Sequence, residues 1–171
     1  MPKPTDILLA TSFGAGYSPV APGTMGAILG VLLWLIPVAC GVSYNHLWMC
    51  TLVAIILVSF AAIRPIDRLE AAWGHDPSRV VIDETVGVWV CLLGVPTDVY
   101  PTGAPAGIDV SWHFVAWVCG AFVLFRLFDI FKPLGIRKME RYPGGWGVMA
   151  DDILSGAYGL IVMSIIQLFV P

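Results

Sequence analysis

The organisation of this chain follows from the stretch Arg126 to Asp152, which reads RLFDIFKPLGIRKMERYPGGWGVMADD. It carries five of the nine Lys and Arg residues and four of the twelve Asp and Glu residues. It separates two apolar segments, Val110 to Phe125 and Ile153 to Val170. Charges concentrated between two segments that can enter a bilayer indicate a function for the charged residues.

The charges of this stretch have a helical spacing. Arg126, Asp129 and Lys132 recur at every third position, which on an α-helix places them on one face within an arc of about 120°. Pro133 predicts the end of that helix, because proline cannot continue the hydrogen-bonding pattern.

Three glycines and two acids close the stretch. Gly144, Gly145 and Gly147 predict a loop that can pass close to a ligand, since glycine adopts conformations that other residues avoid. Asp151 and Asp152 are then expected to open the last apolar helix, where carboxylates suit the positive end of the helix dipole.

Composition places the chain in a membrane. Of its 171 residues, 58% are hydrophobic and 12% are charged, whereas a soluble domain has about 25% charged residues. The length fits a single domain covering residues 1–171. The net charge of −3 disfavours nucleic acid as a partner.

Five apolar segments predict an all-α, polytopic membrane protein with about five membrane-embedded helices. They are residues 27–39, 47–63, 80–95, 110–125 and 153–170. The third would reach only about 24 Å as a helix, so a crossing there needs local thinning of the bilayer or tilted packing. Between the second and third segments, the polar residues 64–79 are expected to form a solvated linker helix.

The basic residues predict the orientation. All nine lie in residues 1–26, 64–82 and 126–152, which five crossings place on one side of the membrane. The positive-inside rule makes that side cytoplasmic. Asp83 and Glu84, at the start of the third segment, fall on the same side.

The acids gathered at this face predict a metal site. Adjacent acids near lipid cost several kcal/mol unless a proton, a cation or a metal neutralises them; the alternative is a pair of interfacial acids at a helix end. The candidate carboxylates are Asp83, Glu84, Asp129, Asp151 and Asp152, and the candidate cations are Arg126, Lys132 and Arg137. Without a Cys/His cluster, oxygen ligation favours Mg²⁺ over zinc, and Mg²⁺ with nearby cations can support phosphoryl transfer.

A glycine- and proline-rich loop, SFGAGYSPVAPGTMG at Ser12 to Gly26, precedes the first apolar segment. It is either a flexible lead-in to that segment or a loop that offers backbone N–H groups to an anion at a helix start. It lacks the GxxxxGK[ST] pattern of a P-loop.

Four segments, in this order, resemble the phosphatidylglycerophosphatase A family: FGAGYSPVAPGTMG, VVIDETVG, FRLFDIFKP and GGWGVMADD. The resemblance implies a Mg²⁺-dependent lipid phosphatase of the bacterial inner membrane. It would convert the phospholipid phosphatidylglycerophosphate to phosphatidylglycerol at the cytoplasmic face. Gly135 stands where the family often has a second proline, which affects the shape of that loop.

The resemblance carries over site residues motif by motif: Ser18, Thr24, Asp83, Glu84, Arg126, Asp129, Lys132, Asp151 and Asp152. From their charges, we expect the five acids to act on metal and Arg126 and Lys132 on phosphate, with Asp83, Glu84, Asp129, Arg126 and Lys132 as the catalytic set. Ser18, Thr24 and the nearby cation Arg137 are expected to join Arg126 and Lys132 in substrate binding. For Arg126 and Asp129, a structural i,i+3 ion pair is the alternative. Either a metal-activated water or an Asp attacks phosphorus. From another class, a small ion- or proton-coupled transporter also has membrane acids and glycine-broken helices, although its site usually lies at the bilayer midplane.

Overall fold

The computed structural model of the chain describes residues 2–75, 77–101 and 110–169. Its regular structure is helical, and the described residues include no β-strand. The α-helices are α1 (Pro4–Ala10), α2 (Pro22–Ala39), α3 (Tyr44–Trp73), α4 (Ile82–Leu92), α5 (Trp112–Phe131) and α6 (Gly145–Gln167). Short 3₁₀ helices, Ala15–Tyr17 and Ile136–Arg141, precede α2 and α6. The predicted all-α class is confirmed.

Four of these helices, α2, α3, α5 and α6, are long and apolar enough to cross a membrane. Large apolar side chains such as Leu57, Phe60 and Ile130 are exposed on their outer faces. An apolar surface of this extent suits a hydrocarbon environment rather than water. The chain is therefore a polytopic helical membrane protein, as its composition predicts.

The short helix α4 is the buried centre of the bundle. Eight of its eleven residues are buried, and it packs against α2, α5 and α6. A Cβ on Gly87 would collide with the Phe125 ring and the Asp152 carbonyl oxygen, and a Cβ on Gly156 would overlap the Gly87 carbonyl oxygen. Asp83 lies one turn before Gly87, and Asp152 one turn before Gly156. The close glycine contact thus brings both carboxylates to the same end of the bundle.

Hydrogen bonds fix both ends of the α4 segment. At its start, Thr85 Oγ1 donates to the Gly26 carbonyl oxygen over 3.0 Å and lies 2.8 Å from Ser12 Oγ. Beyond its end, Tyr44 Oη donates to the Val95 carbonyl oxygen over 3.1 Å. Because α2 separates Gly26 from Tyr44, the α4 segment connects the two ends of the bundle. The helix itself extends only about 16 Å, less than the predicted segment 80–95.

The predicted solvated linker helix at residues 64–79 is only partly right, because residues 64–73 are helical with Arg64, Asp67 and Arg68 exposed, but they are the end of a longer helix and not a separate one. The helix α3 continues through the polar stretch to Trp73, and Ile66 and Leu69 are fully buried. The apolar residues among the charges give this part of α3 a core-facing side that packs on the rest of the bundle.

The predicted glycine loop before the last helix is wrong. The helix α6 begins at Gly145, so Asp151 and Asp152 lie inside it rather than opening it. A Cβ on Gly145 would collide with the Ile63 carbonyl oxygen, and one on Gly147 would overlap the Tyr142 carbonyl oxygen. These glycines therefore allow close packing against the protein's own backbone.

Candidate active site

A cleft of about 650 Å³ lies where α2, α4 and α6 begin and α5 ends. Its lining includes six acids and two basic residues: Glu70, Asp83, Glu84, Asp129, Asp151 and Asp152, with Arg126 and Lys132. The structure therefore brings together all five acids that the sequence nominates and two of its three candidate cations.

Three of the carboxylates form a cluster. One oxygen from each of Asp83, Glu84 and Asp152 lies within 4.8 Å of the others. One buried oxygen of each has no hydrogen-bond partner within the described part of the chain. Three negative charges this close and this poorly solvated need a proton or a cation. Oxygen donors of this kind suit Mg²⁺, so the residues present fit such an ion.

The first turn of α2 lies against this cluster. A Cβ on Gly23 would overlap Glu84 Oε1, so the carboxylate rests on the helix backbone. The N-terminal turn of a helix carries partial positive charge and favours a carboxylate there. Ala21 and Pro22 also line the cleft. The loop predicted over residues 12–26 therefore ends at Ala21, because residues 22–26 are the first turns of α2, and this junction forms part of the wall of the site.

The other two predicted acids are paired with cations. Arg126 Nη1 donates to Asp129 Oδ2 over 2.5 Å, and Lys132 Nζ donates to Asp151 Oδ2 over 2.5 Å. The i,i+3 ion pair of Arg126 and Asp129, which the sequence offers as the alternative to roles in phosphate and metal binding, is therefore present. Both residues also line the cleft. Two ion pairs thus stand beside three clustered carboxylates.

Lys132 reaches the cleft from the end of α5. It terminates that helix with φ +44°, in the left-handed region, which is uncommon for a residue other than glycine. Pro133 follows and prevents continuation of the helix, as the sequence predicts. The turn leaves the side chain directed to Asp151 on α6, so the ion pair links the two helices at the cleft.

Three predicted substrate-binding residues lie outside the cleft lining. Ser18 Oγ donates to the Val20 carbonyl oxygen over 2.8 Å, which closes a local turn. Thr24 is in the first turn of α2, and Arg137 is exposed on the 3₁₀ helix before α6. The Ser18 and Thr24 hydroxyls and the Arg137 guanidinium are not among the groups that line the cleft.

Sequence reasoning missed the contribution of α3. Glu70 lines the cleft, together with His75 and Ser78 from the residues that follow the helix. Asp67 supports the site from behind, because its Oδ1 accepts a hydrogen bond of 2.8 Å from the Gly145 N–H at the start of α6. The i,i+3 spacing of Asp67 and Glu70, which places both acids on one side of the helix, is the signal that could have indicated them.

The sequence profile that matches residues 8–167 is that of phosphatidylglycerophosphatase A. The chain belongs to the phosphatidylglycerophosphatase A family. The matched range includes every residue that lines the cleft. The resemblance drawn from the four sequence segments is confirmed. Phosphatidylglycerophosphatases are phosphoric monoester hydrolases, so the chain is an enzyme of that class.

Individual relatives cover nearly the whole chain. A Bacteroides thetaiotaomicron protein named "Putative phosphatidylinositol-3-phosphatase" is 45% identical over 159 residues, 93% of this chain and 91% of the relative. The phosphatidylglycerophosphatase A of Haemophilus influenzae is 35% identical over 165 residues, 94% and 87% of the two chains. That of Escherichia coli is 31% identical over 150 residues, 87% and 76%. No solved structure gives a significant match.

Proposed function

We propose that this member of the phosphatidylglycerophosphatase A family hydrolyses phosphatidylglycerophosphate to phosphatidylglycerol and phosphate with the help of Mg²⁺. The main support for this function is the cluster of Asp83, Glu84 and Asp152. It lies in one cleft with the cationic side chains of Arg126 and Lys132. A phosphate monoester needs cations around its oxygens, and Mg²⁺ needs oxygen ligands. The cleft supplies both within one bilayer-embedded protein.

Each group has a role that its surroundings support. Asp83, Glu84 and Asp152 would hold Mg²⁺, which when bound supplies a Lewis acid and lowers the pKa of a coordinated water. Arg126 and Lys132 would bind the phosphate oxygens. An arginine has five N–H donors and a lysine three, so each can keep its carboxylate partner and still donate to phosphate. Asp129 and Asp151 would orient these two cations.

We favour water as the nucleophile. The three clustered carboxylates are committed to a cation by their mutual repulsion, and the two remaining acids already accept hydrogen bonds from Arg126 and Lys132. Both kinds of interaction lower the tendency of a carboxylate to attack phosphorus, which supports a metal-activated water. Trapping a phosphorylated Asp in a single turnover would contradict this mechanism.

Substrate preference is the first test of the proposed function. Phosphate release by the purified protein would be measured with phosphatidylglycerophosphate, phosphatidylinositol 3-phosphate and phosphatidic acid. We expect the highest kcat/KM for phosphatidylglycerophosphate, by at least about tenfold, or about 1.4 kcal/mol of transition-state binding. The phosphoinositide is included because the Bacteroides relative carries that activity in its name. A preference for it would replace the proposed substrate.

The same assay separates the enzyme from a transporter. A transporter would move an ion across sealed vesicles without releasing phosphate from any of the three lipids. The clustered acids lie where three helices begin, whereas a transport site usually lies near the bilayer midplane.

We further propose that the cleft faces the cytoplasm from the inner membrane of a bacterial cell. The one-sided distribution of all nine Lys and Arg residues supports this orientation. Single cysteines at Arg137 and Asn45, in a background without the four native cysteines, should react with membrane-impermeant reagents from opposite sides. Reaction of both from outside intact spheroplasts would refute the orientation.

A further inference from the structure

The segment that joins α5 to α6 is firmly held on the protein. Ile136 is fully buried, and Tyr158 Oη of α6 donates to the Leu134 carbonyl oxygen over 3.1 Å. Leu134 and Gly135 adopt left-handed backbone conformations, with φ of +52° and +92°. These turns orient the 3₁₀ helix Ile136–Arg141 that follows. What the segment presents outward is therefore set by the fold.

The outward side of this segment is basic. Arg137, Lys138 and Arg141 are exposed, and none of them forms an ion pair with a side chain that the structure describes. Glu140 is the one acid of the 3₁₀ helix, so residues 136–141 carry a formal charge of +2. We call Arg137, Lys138 and Arg141 the basic surface.

Apolar side chains accompany the basic surface. Leu134 is 80% exposed, and Tyr142 and Trp146 are also exposed. The segment connects two helices that can cross a membrane, so it lies at the level where each would leave the bilayer. Exposed tyrosine and tryptophan are enriched at that level, and basic residues there attract anionic lipid headgroups.

The basic surface lies in a segment whose two flanking residues line the cleft. Lys132 precedes the segment and Tyr142 follows its 3₁₀ helix, and both line the cleft. A lipid headgroup held by Arg137, Lys138 or Arg141 would therefore sit next to the site without occupying it.

We propose that the basic surface is a docking surface for anionic phospholipids of the surrounding bilayer. The occupant follows from charge complementarity and from position, since the outward cations face the headgroup layer. Docking here would enrich anionic lipids beside the segment that carries Lys132 and Tyr142 into the cleft. The proposal needs the membrane location but not the phosphatase activity.

Electron spin resonance of spin-labelled lipids tests this docking directly, because it measures how strongly a lipid associates with the protein surface. The purified protein would be reconstituted in phosphatidylcholine vesicles with spin-labelled phosphatidylglycerol or spin-labelled phosphatidylcholine. We expect the wild type to prefer the anionic label by at least about twofold at low salt, and the preference to fall as salt screens the charges.

A pair of double variants separates a local effect from net charge. Arg137→Gln with Lys138→Gln should reduce the preference to near unity. Lys3→Gln with Arg64→Gln removes the same amount of charge from two other exposed positions. This control variant should keep the preference for the anionic label. Thermal midpoints in detergent would show that both variants are folded. The docking proposal would be overturned if both double variants lost the preference for the anionic label equally, or if the wild type showed no such preference. The cations would then serve only to set the membrane topology.

Discussion

Replacing Asp152 with Asn is expected to lower phosphatase turnover by about 10² or more, which is about 2.7 kcal/mol of barrier. Asp152 is 2% exposed and its carboxylate is within 4.8 Å of those of Asp83 and Glu84. The amide has nearly the same shape but no charge. It therefore removes a third of the negative charge that would hold Mg²⁺ while preserving the packing of α6 on α4.

The dependence on metal distinguishes this effect from simple damage to the fold. Turnover of Asp152→Asn would be measured against Mg²⁺ concentration, and half-saturation should shift to higher Mg²⁺ than in the wild type. Asp6→Asn is the matched control, because Asp6 is also a buried acid but pairs with Arg68 outside the cleft. Near-wild-type turnover for Asn at both Asp83 and Asp152 would remove the metal site from this account.

Replacing Lys132 with Met should also lower turnover by about 10², but without changing the Mg²⁺ requirement. Lys132 is the cation that α5 directs to Asp151, and its remaining donors are the ones that would meet phosphate. Methionine keeps much of the side-chain volume and removes the charge. The loss should therefore appear in the barrier to phosphate release rather than in the response to metal.

Two further variants test whether Lys132 acts on phosphate or only on the fold. Lys132→Arg keeps the positive charge and should restore part of the turnover. Arg64→Met removes an exposed cation outside the cleft lining and should have little effect. If Lys132 only supports the fold, Lys132→Met would give less folded protein with normal turnover in the remainder.

Much of this site could be predicted from local spacing. The interval of Arg126 and Asp129 places both on one face of α5, and Pro133 predicts where that helix ends. The same interval does not hold for Lys132, which follows the helix in a left-handed turn and reaches the cleft from there. The pair Asp83–Glu84 stands out because charge is rare in apolar segments. These features depend on neighbours in the chain, which the sequence displays directly.

Local spacing could not predict which acids join the carboxylate cluster and which form ion pairs. Asp151 and Asp152 are adjacent in sequence, yet one faces Lys132 and the other faces Asp83 and Glu84. The difference comes from how α6 is rotated against α4 and α5, which the Gly87–Gly156 contact fixes. Such contacts join distant parts of the chain, and helical periodicity carries no information about them.

Helix propensity also predicts the wrong first residue for α6. Glycine is unfavourable inside an isolated helix by about 1 kcal/mol relative to alanine, so Gly145 and Gly147 predicted a loop. In the fold, the Asp67 carboxylate accepts a hydrogen bond from the Gly145 N–H, and the missing Cβ atoms allow Gly145 to pack on Ile63 and Gly147 on Tyr142. Tertiary contacts outweigh the local cost.

The dependence of turnover on Mg²⁺ is the sharpest test of the metal site formed by Asp83, Glu84 and Asp152. Phosphate release from phosphatidylglycerophosphate would be measured before chelation, in excess EDTA, and after Mg²⁺ is restored. We expect turnover to fall by at least about 10²-fold in EDTA, because the clustered carboxylates would then repel the phosphate, and to recover when Mg²⁺ is restored. Undiminished turnover in excess EDTA would contradict the metal site.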